Sequence, residues 1–400
     1  MFASDVNSTT YAKNAIILGH ISSGMGERTL ALKFKKAIEQ AGYGVKPIID
    51  IIEWMGEEYE SMAQLNYDLA DGGYSIIEDL KTTLTLPASD LLLLLSWNFS
   101  LAALFATSIH KSRPTAVKLY AHHPTERILT RLYEPADLLI TESLLASERA
   151  FDYGIDPAKI LYLPHSYPAE CEQIIPSRSY VEKLAQRQGK TLDKNAKVIG
   201  CVSRLEYGKN CEFAVEAVRK LAIEKYPVIL VLKGDFPDNS PYPEYKPIFL
   251  KMLHTYQEEP WLLWDPTPTS FPQVLEEYAA FDLLLHPSGA EGGSHIVVEC
   301  LGLQKPVVLL DCSTNPYLFK DLATFVKTTG EIRPALLPFY IPDLEDLCST
   351  LKKELSPPPL CKVQERFHEK VVRERIPLLF ERNSDTLKSL YSHDRKCYSL

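Results

Sequence analysis

Short apolar runs alternate with helical patterns along most of the chain, and the alternation begins twice. In the first half, Ala15–Leu18, Val45–Ile52, Leu91–Leu95, Ala116–Tyr120, Leu138–Thr141 and Ile160–Leu163 have the length of buried strands. Between the first two, Leu30, Phe34, Ala37, Ile38 and Ala41 recur at helical spacing, and Gly42 and Gly44 mark the stop. The second half restarts with Val198–Val202, Val228–Leu232, Leu262–Trp264, Leu283–Leu285 and Val307–Leu310, interleaved with helices such as Cys211–Glu224 and Phe271–Ala280. Such alternation predicts α/β folding, with parallel sheets covered on both faces. The polar stretch Ser177–Lys197 separates the two series, so the pattern predicts two doubly wound, Rossmann-like domains, 1–176 and 198–360, with a linker at 177–197. Residues 361–400 have helical composition interrupted by Pro377 and are expected as a tail able to cross back to the first domain. Ligands of such folds bind at the carboxyl ends of the strands, in the cleft between domains.

Composition narrows the class. A chain of 400 residues suits two domains, and 46% apolar with 24% charged residues is the balance of a soluble globular protein. A net charge of −9 excludes a global basic field that recruits nucleic acid or an anionic membrane. The local exception is Ser177–Lys197, where Arg178, Lys183, Arg187, Lys190, Lys194 and Lys197 face only Glu182 and Asp193. It reads first as a solvated helix and second as a peripheral surface for lipid head groups. No span approaches the ~18 apolar residues of a transmembrane helix. The eight cysteines form no Cys-x-x-Cys pair, so neither a disulfide frame nor a zinc site is suggested. Cys201, Cys300 and Cys312 read as packing residues, and a reduced, cytoplasmic protein is expected.

Candidate chemistry concentrates in Ala290-Glu-Gly-Gly-Ser-His-Ile-Val-Val-Glu-Cys300. Here Glu291 and Glu299 stand eight residues apart across a glycine turn that leads from a strand into a helix. The first amides of a helix are unpaired and carry the positive end of its dipole, which makes an anion site. A carboxylate beside that site is suited to hydroxyls attached to the anion, and a sugar on a nucleoside diphosphate offers both parts. At the start of the second series, Arg204, Gly208 and Lys209 follow the strand that ends near Ser203. Two cations at a strand end suit a diphosphate whose charge grows as it leaves.

These residues resemble the retaining nucleotide-sugar glycosyltransferases of the GT-B fold, particularly glycosyltransferase family 4 (glycosyl transferases group 1). The pattern runs Arg204, Lys209, Glu291-x7-Glu299 and Pro306-Val-Val308, with Lys233-Gly-Asp235 at the turn that ends the second strand. Upstream, Ala136–Ser143 and Gly154–Pro164 are similar to the family's segments before the second domain, so the resemblance spans roughly Ala136 to Leu310. It implies that Glu291 bonds hydroxyls of the donor sugar and that the backbone of Gly293, Ser294, His295 and Ile296 holds the phosphates. Glu299 would accept from the ribose, while Arg204 and Lys209 neutralise the leaving diphosphate. The chain departs from the family by carrying Glu-Gly-Gly-Ser-His where Glu-x-Phe-Gly is commoner.

In the first, acceptor-side domain the same resemblance makes the loop Gly19–Arg28 a border of the donor phosphates, with Gly24 and Gly26 as candidates and His20 on the acceptor side. A rival reading is a partial dinucleotide fingerprint, Gly24-x-Gly26-x-x-Thr29, with Asp50 as the ribose acid. His122 or His123, after the fourth strand, is expected to face the reacting carbon, and His165 to be structural or cleft-lining. No Asp-x-Asp pair occurs, so metal-independent transfer without a cofactor is expected, with Arg204, Lys209 and the helix N-terminus in the ion's place. The acceptor stays unassigned. A sugar-nucleotide epimerase on the same scaffold and a non-catalytic glycan- or nucleotide-binding derivative are the alternatives.

Overall fold

The computed structural model describes residues 12–19, 26–50, 88–95, 114–119, 136–237, 240, 242–271, 273–333, 339–356, 367–381 and 383–398. These form two compact units, one from Met1–Pro164 with Glu369–Leu400 and one from His165–His368.

In the first unit, β1 (Asn14–Gly19), β2 (Gly44–Asp50), β3 (Leu91–Leu95), β4 (Thr115–Leu119), β5 (Leu138–Thr141) and β6 (Ile160–Tyr162) make one sheet, ordered β2-β1-β3-β4-β5-β6. Every neighbouring pair is parallel. β3 is five leucines, all buried, because a strand with both faces covered has no polar side. The helix Gly26–Gln40 lays Leu30, Phe34, Ala37 and Ile38 on this sheet. The same core takes Val372, Ile376, Leu379 and Leu387 from the end of the chain. There Arg375 grips Asp394 through two 2.8 Å bonds and donates to the Tyr162 carbonyl, also at 2.8 Å.

The second unit repeats the plan with β7 (Lys197–Val202), β8 (Val228–Lys233), β9 (Leu262–Asp265), β10 (Leu283–His286), β11 (Val307–Leu310) and β12 (Thr324–Val326). Their order is β12-β11-β10-β7-β8-β9, again all parallel. Its two ends meet, since Tyr167 donates its amide to the Phe367 carbonyl at 2.8 Å. An antiparallel hairpin, β13 (Thr328–Arg333) and β14 (Phe339–Pro342), is added to the sequence expectation. β12 has three residues, β14 has four and β13 is largely polar, so none offers the buried apolar run that marks the other strands.

Residues 177–197, expected as a linker, fold with the second unit. The helix Ser179–Arg187 buries Val181, Leu184 and Ala185 in its core. Arg178 donates to the carbonyls of Lys194 and Ala196 at 2.6 Å each, and Lys190 caps the Leu262 carbonyl. Part of the basic run is therefore spent on backbone oxygens at home. No helix of the described residues is long and apolar enough to cross a membrane.

Candidate functional site

Three loops at the carboxyl ends of β7, β10 and β11 converge in the second unit, and β14 joins them. After β7 the chain turns tightly through Gly208 at φ 90° and Asn210 at φ 54°, then enters the helix Cys211–Ile223. Gly208 lies against the Phe339 ring, where a Cβ would come within 2.4 Å of it, so only glycine fits. Its carbonyl accepts from the Gly289 amide at 2.8 Å, which ties the β7 loop to the β10 loop. Asn210 is fully buried and donates from Nδ2 to Pro287 O and Tyr340 O, both at 2.9 Å. Gly289 carries the third tie, since the Tyr340 amide donates to its carbonyl at 3.2 Å.

This frame aims Lys209 at Glu291. Lys209 Nζ lies 2.6 Å from Glu291 Oε1 and 3.4 Å from Ser288 Oγ. His286, the last residue of β10, places Nε2 3.0 Å from the same carboxylate oxygen. The three side chains are largely enclosed, with 21%, 11% and 4% of Lys209, Glu291 and His286 exposed. Burial pushes the Glu291 carboxyl up, but the Lys209 charge and the His286 hydrogen bond outweigh it and hold the group well below the usual carboxylate range. Glu291 is thus ionised, and His286 must donate to it. The Glu291 backbone is pinned as well: its carbonyl accepts from Ser313 Oγ and Thr314 Oγ1 at 2.7 Å, and its amide donates to Ser313 Oγ at 3.3 Å. Ser313 holds a left-handed φ of 55° to do this, a conformation that a non-glycine residue adopts at a cost.

The helix His295–Gly302 begins beyond the glycine turn. Ser294 caps it, accepting from the Val297 amide at 3.5 Å. Glu299 sits on its buried side and is 4% exposed. Burial first, and the Glu299 charge second, push up the Tyr278 phenol and the Cys300 thiol, so the carboxylate lies among them. The His295 ring packs on His165, their centres 3.7 Å apart. The structure therefore brings Lys209 and Glu291 together directly and seats Gly293, Ser294, His295, Ile296 and Glu299 in the turn and helix that follow. Arg204 precedes Lys209 on the same loop, half-exposed and ion-paired with Glu206 at 2.8 Å.

Lys233 does not join them. Its Nζ is buried among Asp265 Oδ2 at 3.3 Å, Glu277 Oε2 at 2.8 Å and Thr269 Oγ1 at 3.0 Å. Gly234 follows at φ 143°, with the Ser203 carbonyl 1.8 Å from where a Cβ would stand. In the first unit, Gly26 opens the helix Gly26–Gln40 and Asp50 closes β2. His20, Gly24, His122 and His123 lie outside the described residues. Among the described residues no group of three or more His, Cys, Asp or Glu is arranged to hold a metal ion. Sequence reasoning did not single out His286, Asn210, Ser288, Ser313 or Tyr340. Of these only His286 carried a signal, as a polar residue closing an apolar strand at its carboxyl end.

Residues 182–333 match the glycosyl transferases group 1. The matched segment holds Arg204, Lys209, Glu291 and Glu299, and the glycosyltransferase resemblance drawn from those residues is met there. Over nearly the whole chain, several solved structures share its fold. The Anabaena protein HepE, solved in complex with UDP and glucose, is 16% identical with a TM-score of 0.59, covering 97% of this chain and 100% of that one. Sucrose-phosphate synthase from Thermosynechococcus elongatus is 15% identical with a TM-score of 0.63, covering 96% and 99%. An α,α-trehalose-phosphate synthase (UDP-forming) from Burkholderia xenovorans, in complex with glucose-6-phosphate, is 14% identical with a TM-score of 0.62, covering 96% and 100%. The chain has the GT-B architecture of two Rossmann-like domains. No curated protein matches it.

Proposed function

We propose that this chain moves a sugar from a nucleoside-diphosphate sugar to an acceptor, keeping the anomeric configuration and using no metal ion. The observation that carries the reading is the Lys209–Glu291 contact, 2.6 Å, at the mouth of a glycine turn that opens a capped helix bearing the buried Glu299. A cation, hydroxyl acceptors and free helix amides are what a diphosphate joined to two sugars requires. In this reading Lys209 and Arg204 take up the charge of the leaving diphosphate, Glu291 holds hydroxyls of the transferred sugar, and Glu299 holds the ribose. The anomeric carbon loses its bond to the diphosphate oxygen and gains one to the acceptor oxygen on the same face. The acceptor proton passes to the departing diphosphate. Positive side chains then do what a divalent ion does elsewhere. HepE was solved with UDP, which makes UDP-sugars the first donors to try.

The test is thermal stabilisation by UDP, GDP, ADP, dTDP and CMP in excess EDTA, then transfer or donor hydrolysis with the nucleotide that binds. Stabilisation by one nucleoside diphosphate, weakened in Glu299→Ala, supports the reading. Lys209→Ala should lower turnover by at least ~10²-fold, the order found when a charge stabiliser is removed. Binding of none of the five nucleotides, or a normal rate in Lys209→Ala, defeats it. Inversion at the anomeric carbon, or loss of activity in EDTA, defeats its finer part.

A further inference from the structure

Glu291 Oε1 serves two partners at once, Lys209 Nζ at 2.6 Å and His286 Nε2 at 3.0 Å. The two partners differ in freedom. Lys209 sits on a loop at the end of a four-carbon side chain, and its other hydrogen bond is the long 3.4 Å one to Ser288 Oγ. His286 is the last residue of β10, paired in register with Leu309 of β11, and its side chain is 4% exposed. Ser313 and Thr314 fix the Glu291 backbone, so what remains to be held when the lysine departs is the carboxylate, and His286 is its other partner.

We propose that His286 is a positioning residue that holds Glu291 in place, and balances its charge, when Lys209 turns to the diphosphate. The inference rests on the reading that a diphosphate engages Lys209. As that anion arrives, the lysine charge is shared with it, and a buried carboxylate left without a cation is costly. His286 already donates its Nε2–H, so taking a proton at Nδ1 turns the same hydrogen bond into an ion pair without moving either residue. The added negative charge of the diphosphate favours that protonation. The ionisable groups around this exchange are Glu291 on the same loop, Lys209 on the β7 loop, and Asp311 with Cys312 beyond β11. The Cys312 thiol, pushed up to about 12 by burial first and then by Glu291 and Asp311, stays neutral throughout. Donor binding is thereby coupled to uptake of a proton from solvent, and it tightens as pH falls.

The experiment is calorimetric titration of the full-length protein with UDP, or with whichever of GDP, ADP or dTDP binds. It is run near pH 7.5 in two buffers of different ionisation enthalpy. The wild type should take up a measurable fraction of a proton beyond that exchanged by the nucleotide itself. His286→Gln, whose amide keeps one donor but cannot protonate, should lose that fraction and show a flatter dependence of Kd on pH. It should also bind about tenfold more weakly, the cost of roughly one uncompensated interaction. In the wild type, the imidazole NMR signals of His286 should report a gain of proton when the nucleotide is bound at constant pH. Equal proton uptake in the two proteins, or His286 signals that report no such gain, overturns this inference while leaving the donor site intact. Failure of the wild type to bind any nucleoside diphosphate overturns the donor reading and this inference together.

Discussion

The side-chain amide of Asn210 reaches the carbonyl of Tyr340 at 2.9 Å, across 130 residues of chain. The same nitrogen serves Pro287 at the same distance, so one buried group fastens β14, the β7 loop and the β10 loop to one another. Both acceptors are carbonyl oxygens, which fixes the orientation of the amide. Lys209 precedes Asn210 directly, and Glu291 lies four residues beyond Pro287. The clamp therefore sets the distance between the two charges.

Asn210→Ala removes a donor from the buried Pro287 carbonyl and from the part-buried Tyr340 carbonyl, at about 1–3 kcal/mol for the buried one. Thermal unfolding should show a midpoint lower by about 2–4 °C per kcal/mol. Asn210→Gly, which relieves the left-handed backbone, should still be weaker than wild type because it lacks the amide. A glycine variant as stable as the wild type would mean that the backbone angle, and not the clamp, matters.

Glu291 predicts a pH dependence of stability. Its folded-state pKa lies below the unfolded value of about 4.3, so the ionised form stabilises the fold fully above that value. The contribution is lost as pH falls from there towards the folded pKa. Compared with Glu291→Gln, the wild type should hold its largest stability advantage at neutral pH, and the gap should narrow below about pH 4. A gap that stays constant from pH 7 to pH 3 would show that the carboxylate is not held by charge.

Lys233 is expected to matter for folding and little for catalysis. Replacing it with Met strips the cation from Asp265 and Glu277, which are enclosed beside it, at about 3–5 kcal/mol. Burial raises the Asp265 carboxyl, and hydrogen bonds from Thr267 and Tyr180 with the Lys233 charge bring it below its ordinary value. Denaturant titration of Lys233→Met should reveal the loss, with KM for the donor near that of the wild type in whatever fraction folds. A stable variant with a raised KM would place Lys233 on the ligand instead.

Two glycines with positive φ should separate cleanly. Gly234→Ala drives a methyl group against the Ser203 carbonyl and should yield insoluble protein. Gly330→Ala has the same kind of backbone, φ 81°, but open space around it, so it should cost only about 1 kcal/mol. Comparing soluble yield and melting temperature of the pair is the check.

The sheets were legible because their strands are buried on both faces, and Leu91–Leu95 or Val307–Leu310 announce themselves by composition alone. The loops bearing Arg204, Lys209 and Glu291, and the helix bearing Glu299, were legible as spacing across strand ends. What surrounds them was not. Asn210 and Ser313 act through side-chain bonds to distant backbone groups, and each is set there by a positive φ that no residue type reports unless it is glycine. His286 offers only the faint signal of a polar residue closing an apolar strand, and β14 is four residues whose work is done by its backbone. Residues 177–197 read as polar because the helix Ser179–Arg187 buries only three of its nine residues.

The first unit closes its core with Val372, Ile376, Leu379 and Leu387, and ties Arg375 to both Tyr162 and Asp394. A ribosome makes the chain from one end, so everything between His165 and His368 is synthesised before those side chains exist. The second domain is the first able to finish, and the first domain waits with an uncovered apolar face until the residues from Glu369 onward are made. A released chain truncated before Glu369 should therefore hold one protease-resistant domain, and it should be the second.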